Sequence, residues 1–524
     1  MTNFCHRLLP RLLALYTVVN NIIKTYFKPE GRPQRGIYLA LYEAIKEAID
    51  TGALPEHTAM PPTRLLMTVI GLSRSTVVKA YNLLAENQLL VAKQGSGFAV
   101  ATLPKLPLKI EVDPVTYPAI SDLGQSFLHN IHLLNDTSAE GIAFTPGLPP
   151  LDVFPIGQWQ KLSNMYWRNI RSADLNYSIS SGIDSLKKCI ANYLLLSRGI
   201  TCDPGQIMIV SGSLQSLFLI GSVLINKGDM VCMENPTFPN VISIFKSLQA
   251  DVVPIEVDNE GLIIDQINSD EHKAVKLIHT TPSNQYPLGG KMSKERRLKL
   301  LAWAHAHNAM IIENDYEHEI NNWHDQVPSI YSLDAEQRTI YLGTFNRILH
   351  PSIRLGYMIV PPHLLPAVKA LQMHSHRFVP QSIQVVMTDF MSQNLIYKHI
   401  RMAIEEAKER RALFLSLFQK HFDDQIQIRP VLTSSFHLVA ELPADRQDEK
   451  LVAALDAKGI ATHALSKCYF DHDDQYPHDY LEEKLTEPQP KPQGLILGYS
   501  CINQAFMTPT VQKMAGVYLG KKWW

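Results

Sequence analysis

Residues 339–357 read TIYLGTFNRILHPSIRLGY. The opening run is β-branched, aromatic and apolar, and it ends at Gly343-Thr344-Phe345, the pattern of a buried strand giving way to a turn. Two arginines follow, Arg347 and Arg354. Four earlier stretches have the same form: IMIVSG (207–212), MVCMENP (230–236), VKLIHTTP (275–282) and MIIENDY (310–316). Helical patterns lie between them, so from Phe144 onward the chain reads as an α/β domain on a largely parallel sheet. Ligands of such sheets gather outside the carboxyl ends of the strands, and these turns are where chemistry is expected.

Nearer the N-terminus the periodicity changes. Ile37, Leu41, Ile45 and Ile49 recur at i, i+4, which predicts a helix ended by Thr51-Gly52. A second helix follows Pro61-Pro62, carries Leu65, Leu66, Val69 and Ile70, and stops at Gly71. A third starts after Ser73, a capping residue, with Val77, Tyr81 and Leu84 facing inward. LLVAKQGSGFAVA (89–101) then reads as a hairpin whose glycines permit the reversal. Three helices and a hairpin predict a winged helix-turn-helix. In that arrangement Arg74, Ser75 and Thr76 at the start of the third helix meet base edges and phosphates of double-stranded DNA, while Arg64 and Gly95 of the wing hold the backbone. The same pattern also serves protein-interaction modules.

With 524 residues and 46% hydrophobic content, the chain exceeds one ordinary core. The expected division is an extension at 1–34, the winged helix at 35–102, a proline-bearing linker at 103–141 and the α/β domain at 142–524. Residues 1–105 carry 12 Lys/Arg against 6 Asp/Glu, a weak basic bias that suits a polyanion. Leu12–Val19 is apolar after basic residues but too short to span a membrane, and no small-residue cleavage site follows, so an amphipathic helix or a poorly ordered extension is expected in place of a leader. Six cysteines without C-x-x-C spacing indicate neither a zinc site nor a disulfide framework and fit a reducing, cytoplasmic setting.

MPPTRLLMTVIGLSRSTVVKAYNLLAENQLLVAKQGSGFAV (60–100) closely resembles the DNA-binding domain of the GntR family, with its Pro-x-x-Arg start, Ser-Arg-x-Thr-Val recognition helix and Gly-Ser-Gly wing. The strand-end turns resemble fold-type I aminotransferases. Their order is similar to the MocR subfamily of GntR regulators, over about residues 35–507. That resemblance implies a homodimer whose second domain binds pyridoxal 5'-phosphate (PLP) and senses a ligand. It implies phosphate contacts from Ser213, Arg354 and, across the dimer, Tyr177. It places Phe238 on the pyridine ring, Asn284 and Tyr286 beside the ring hydroxyl, and Asn314 and Tyr316 in the turn that meets the ring nitrogen.

The sequence departs from that pattern where chemistry matters most. The aspartate that pairs with the pyridine nitrogen is matched by Asn314, and an amide cannot supply its charge. The lysine that forms the Schiff base is matched by Arg347, whose guanidinium stays charged and is no nucleophile. A histidine is usual at Asn284, and an arginine that grips substrate carboxylate is matched by Ile496 in GLILGYS. The expectation is therefore a regulator with no catalytic residues, PLP bound at most without a covalent bond or not at all, and an anionic small-molecule effector. A functioning PLP-dependent aminotransferase with an accessory DNA-binding domain, or a scaffold for protein partners, are the alternatives. An insertion at 467–493 carries His472, Asp473, Asp474 and His478, which read as an acidic solvated loop with no metal site.

Overall fold

The computed structural model describes residues 16–27, 36–93, 97–102, 117–134, 143–267, 275–320, 327–422, 425–430, 435–470 and 490–520. The chain divides into two compact units, Met1–Pro118 and Ala119–Trp524.

The first unit holds four helices, α1 (residues 16–26), α2 (Ile37–Asp50), α3 (Thr63–Ile70) and α4 (Arg74–Glu86), and a hairpin of β1 (Leu90–Lys93) and β2 (Gly97–Val100). Leu41, Ile45 and Ile49 of α2, Leu66 of α3, and Val77, Tyr81 and Leu84 of α4 close into one core. Gly71 takes left-handed backbone at φ +70° and ends α3. Ser73 caps α4, its Oγ accepting the Thr76 N–H at 3.2 Å. Tyr81 Oη donates to the Pro61 carbonyl at 3.0 Å and ties α4 to the approach to α3. Gly95, expected to hold the DNA backbone, lies outside the described residues.

In the second unit an eight-stranded sheet runs in the order β3-β10-β9-β8-β7-β4-β5-β6. Its strands are β3 (Ile207–Val210), β4 (Met230–Asn235), β5 (Asp251–Asp258), β6 (Gly261–Leu262), β7 (Val275–Thr280), β8 (Met310–Asn314), β9 (Thr339–Thr344) and β10 (Gly356–Ile359). The pairs β4–β5, β4–β7, β7–β8 and β8–β9 are parallel. β10, which the sequence reading leaves out, is antiparallel to both β3 and β9. Since it reverses direction twice over, β3 still points the same way as β9. The five expected strands therefore end on one edge of the sheet. A smaller antiparallel sheet follows, ordered β11-β12-β14-β13, from β11 (Gln427–Ile428), β12 (Leu438–Glu441), β13 (His463–Ala464) and β14 (Gly494–Leu497).

Two of the expected boundaries need correction. The stretch 1–34 is not only an extension, because α1 buries Val19 and Ile23 in the core of the first unit and Tyr26 Oη bonds Thr51 Oγ1 at 3.0 Å. The stretch 103–141 is not linker throughout, because α5 (Asp122–Asn130) packs on the second unit. Ser126 Oγ donates to the Lys246 carbonyl at 3.0 Å, and Ser243 Oγ donates to the Asn130 carbonyl at 2.9 Å. Leu123 and Leu128 of this nine-residue helix are exposed, and the two serine-to-carbonyl bonds join it to the helix Pro239–Ser247. His472, Asp473, Asp474 and His478 lie outside the described residues.

Candidate functional site

The strand ends build the site from two sides. After β3, Gly212 adopts φ +142°, open in practice only to glycine, and the helix Ser213–Leu224 begins with half-buried Ser213. A Cβ at Gly212 would sit 2.8 Å from Asn346 Nδ2. Asn346 donates from Nδ2 to the Ser211 carbonyl at 3.4 Å and accepts the Leu355 N–H at 3.0 Å, so one amide joins the turn after β3 to the turn between β9 and β10. Arg354 precedes Leu355 in left-handed backbone at φ +49°, exposed and without a side-chain partner among the described residues. The free N–H groups and positive dipole end of a twelve-residue helix, with an unpaired arginine on the neighbouring turn, suit an anion such as phosphate.

On the other side, Phe238 after β4 lies face to face with Tyr286 after β7, the centroids 3.6 Å apart and the planes within 11°. Tyr316 meets Phe238 edge-on at 5.1 Å. The Arg347 guanidinium lies over both rings, its Cζ 5.6 Å from the Phe238 centroid and 5.4 Å from that of Tyr316. Its tip rests on Gly147, where a Cβ would fall 1.0 Å from Nη1. Glu317 Oε1 is 3.9 Å from Nη1, beyond hydrogen-bond reach. Burial raises the Glu317 carboxyl above its ordinary pKa while Arg347 opposes the shift. Its Oε2 accepts from Ser435 Oγ at 2.8 Å and from Asn284 Nδ2 at 3.1 Å. Asn284 thus serves Glu317 directly. His437, whose Nδ1 bonds Ser435 Oγ at 2.7 Å, is pushed by burial to a pKa of about 4 and stays neutral near pH 7.

Asn314 closes β8 with Nδ2 3.3 Å from His279 Nε2 and its Oδ1 buried without a hydrogen bond among the described residues. Asp315 turns to other partners: Arg198 Nε at 2.8 Å and Tyr341 Oη at 2.8 Å. Burial alone would raise the Asp315 pKa, but the Arg198 charge overrides it and holds the carboxyl at about 2. Asp315 is therefore committed and cannot stand in for Asn314. Ile496 on β14 is buried with Val439, Leu465, Cys468, Tyr286 and Tyr316, an apolar wall where the resemblance expects an arginine.

Tyr177 is 75% exposed, with Arg377 stacked 4.5 Å over its ring and Phe378 edge-on. Its contacts within the chain are thus with neither Ser213 nor Arg354. In the first unit Arg64, Arg74 and Ser75 are exposed and Thr76 half-buried, and the hydroxyls of Ser75 and Thr76 bond Ser73 Oγ at 2.9 and 2.7 Å. Neither arginine has a salt-bridge partner among the described residues.

Residues 157–473 match the family model "Aminotransferase class I and II", and residues 37–100 match "Bacterial regulatory proteins, gntR family". The chain is 31% identical over 481 residues to the "Probable rhizopine catabolism regulatory protein MocR" of Rhizobium meliloti, covering 91% of this chain and 93% of that one. It belongs to the MocR subfamily of GntR-type regulators. Another relative, "HTH-type transcriptional regulator TauR" of Rhodobacter capsulatus, is 28% identical over 86% of this MocR-type chain and 92% of its own length. An archaeal alanine:glyoxylate aminotransferase shares the fold of the second unit at a TM-score of 0.64 and 23% identity, covering 77% of this chain and 96% of that one. The MocR-type chain is thus a DNA-binding regulator in which a GntR winged helix precedes a fold-type I aminotransferase domain.

That family implies PLP at the strand ends, and the residues fit only one end of it. Gly212, Ser213 and Arg354 suit the phosphate. At the other end the cation over the rings is a guanidinium, which forms no Schiff base, and Asn314 offers a neutral amide to the ring nitrogen. The site does not fit covalently held PLP. Glu317 and Gly147 escaped the sequence reading. The acidic run Glu317-His318-Glu319 was the available signal for the first, and nothing in the sequence marked Gly147.

Proposed function

We propose that this MocR-type regulator binds operator DNA as a cytoplasmic homodimer and that its aminotransferase-like unit senses an anionic small molecule without transaminating it. The observation that carries this reading is the Arg347 guanidinium seated over Phe238 and Tyr316, at the position that the resemblance gives to the Schiff-base lysine. Asn314 and Ile496 support it, since the ring-nitrogen carboxylate and the substrate-carboxylate arginine are missing with it. Arg64, Arg74, Ser75, Thr76 and Gly95 carry the contacts to DNA. Tyr177 completes the partner's phosphate site.

The test treats purified full-length protein with excess PLP and borohydride and maps any pyridoxyl adduct by mass spectrometry. No adduct at stoichiometric level is expected, together with a gel shift of the DNA upstream of its own gene. A stoichiometric adduct on any lysine would overturn the reading of the second unit, and absence of a gel shift would overturn that of the first.

A further inference from the structure

We propose that Arg347 makes the ring end of the site a receptor for a planar aromatic carboxylate, with Glu317 as the internal counter-ion that the ligand supplants; this rests on the reading of the second unit as a sensor.

The guanidinium is the starting point. It offers five N–H donors, is three-quarters buried, and makes no hydrogen bond among the described residues. Its counter-charge, Glu317 Oε1, stands at 3.9 Å, too far to accept one of those protons, and among the described residues Oε1 is itself buried without a hydrogen-bond partner. Glu317 is held in place by Ser435 and Asn284 on Oε2 and does not close on the arginine. The result is a largely buried cation whose counter-charge stands at a distance and which has no hydrogen-bond acceptor among the described residues. A carboxylate answers that shortage with two parallel oxygens matched to the guanidinium fork.

The other charges agree. His437 and His463 face Arg347 electrostatically, and burial lowers each to a pKa of about 4, so neither shares the positive charge near neutral pH. Ile496 supplies an apolar side chain where the resemblance expects the carboxylate arginine, so the anion's grip falls to Arg347. The body of the ligand meets half-buried Phe238, which is backed by the buried rings of Tyr286 and Tyr316, a surface that favours a flat aromatic frame. Where the family's lysine takes an aldehyde, this chain's arginine takes the oxidised counterpart of that group.

Isothermal titration of the full-length protein tests this with ring-matched probes that differ only at one carbon: pyridoxine 5'-phosphate, which bears an alcohol there, and 4-pyridoxate 5'-phosphate, which bears a carboxylate. Unphosphorylated 4-pyridoxate separates the carboxylate contribution from the phosphate one. The carboxylate probe is expected to bind at least about tenfold tighter than the alcohol. Arg347→Gln is expected to erase that preference, read as the ratio of the two affinities in the same protein. Glu317→Gln, which removes the competing charge and keeps the shape, is expected to strengthen carboxylate binding severalfold. Equal affinity for the two phosphorylated probes, no binding of either, or a preference that survives Arg347→Gln would overturn the proposal. A Glu317→Gln protein that loses carboxylate affinity while melting like wild type would overturn the counter-ion role. Operator binding, read separately by gel shift, can persist through all of these failures, which distinguishes them from failure of the regulatory reading.

Discussion

Asn314 and Asp315 are neighbours in the chain and serve different parts of the molecule. Asn314 turns its amide to His279 at 3.3 Å, whereas Asp315 gives its carboxylate to Arg198 at 2.8 Å. The carboxylate next to the site is therefore a structural group, unable to reach the position vacated by the missing one without breaking a buried ion pair.

Asp315→Ala should consequently act on stability. It leaves Arg198 as a buried charge without the carboxylate that pairs with it at 2.8 Å, at a cost of about 3–5 kcal/mol. Urea unfolding of the second unit should show that loss, while DNA affinity of the folded fraction stays at the wild-type value.

Arg347→Lys should restore a Schiff base with PLP, visible as absorbance that borohydride removes. Transamination should stay absent, because Asn314 and Ile496 still withhold the ring-nitrogen carboxylate and the substrate arginine. Adding Asn314→Asp should strengthen the absorbance band. An Arg347→Lys protein that turns over an amino acid at an enzyme-like rate would count against the weight placed on those two residues.

DNA binding should depend on Arg64 and Arg74, both exposed and unpaired among the described residues. Replacing either by alanine should weaken operator affinity by about 1–3 kcal/mol and lower the salt dependence, with no change in melting temperature. Fluorescence anisotropy across a salt series measures both.

Acid should destabilise the second unit well above the carboxylate range. Burial lowers His437 and His463 from an ordinary 6.5 to about 4, and His279 to about 3. A depressed histidine stabilises the fold fully above its unfolded pKa and loses that contribution as pH falls toward the folded value. The stability lost between pH ~6.5 and ~4 should reach about 3 kcal/mol for each histidine. His437→Gln, which cannot be protonated, should flatten part of that slope in melts taken across pH.

The sequence disclosed what depends on periodicity and on short local signals. The α2 and α4 faces, the Ser73 cap and the Gly71 stop follow from spacing and residue type, and five of the six strands that run one way, β3, β4, β7, β8 and β9, follow from their apolar runs, whereas β5 was not read. β10 was hidden because its four residues continue the stretch that carries Arg354, and its direction is set by pairing with β3 and β9. In the site, Phe238, Tyr286, Tyr316 and Arg347 were legible as turn residues after separate strands, and the sheet brings them together. Their mutual geometry was not, because the stacking of Phe238 on Tyr286 and the seat of Arg347 on Gly147 join segments far apart in the chain. Glu317 was passed over for a similar reason: its role depends on Ser435, more than a hundred residues away.

The packing of α1 has a practical side. Val19 and Ile23 are buried at 2% and 0% exposure against the helices that follow. A fragment cut to begin at residue 35, where the winged helix starts by motif, would bare that apolar seat to water and invite self-association. A DNA-binding fragment for crystallisation or screening should retain residues 16–26. The piece of this chain that works as a portable operator-reading module is thus longer than its motif.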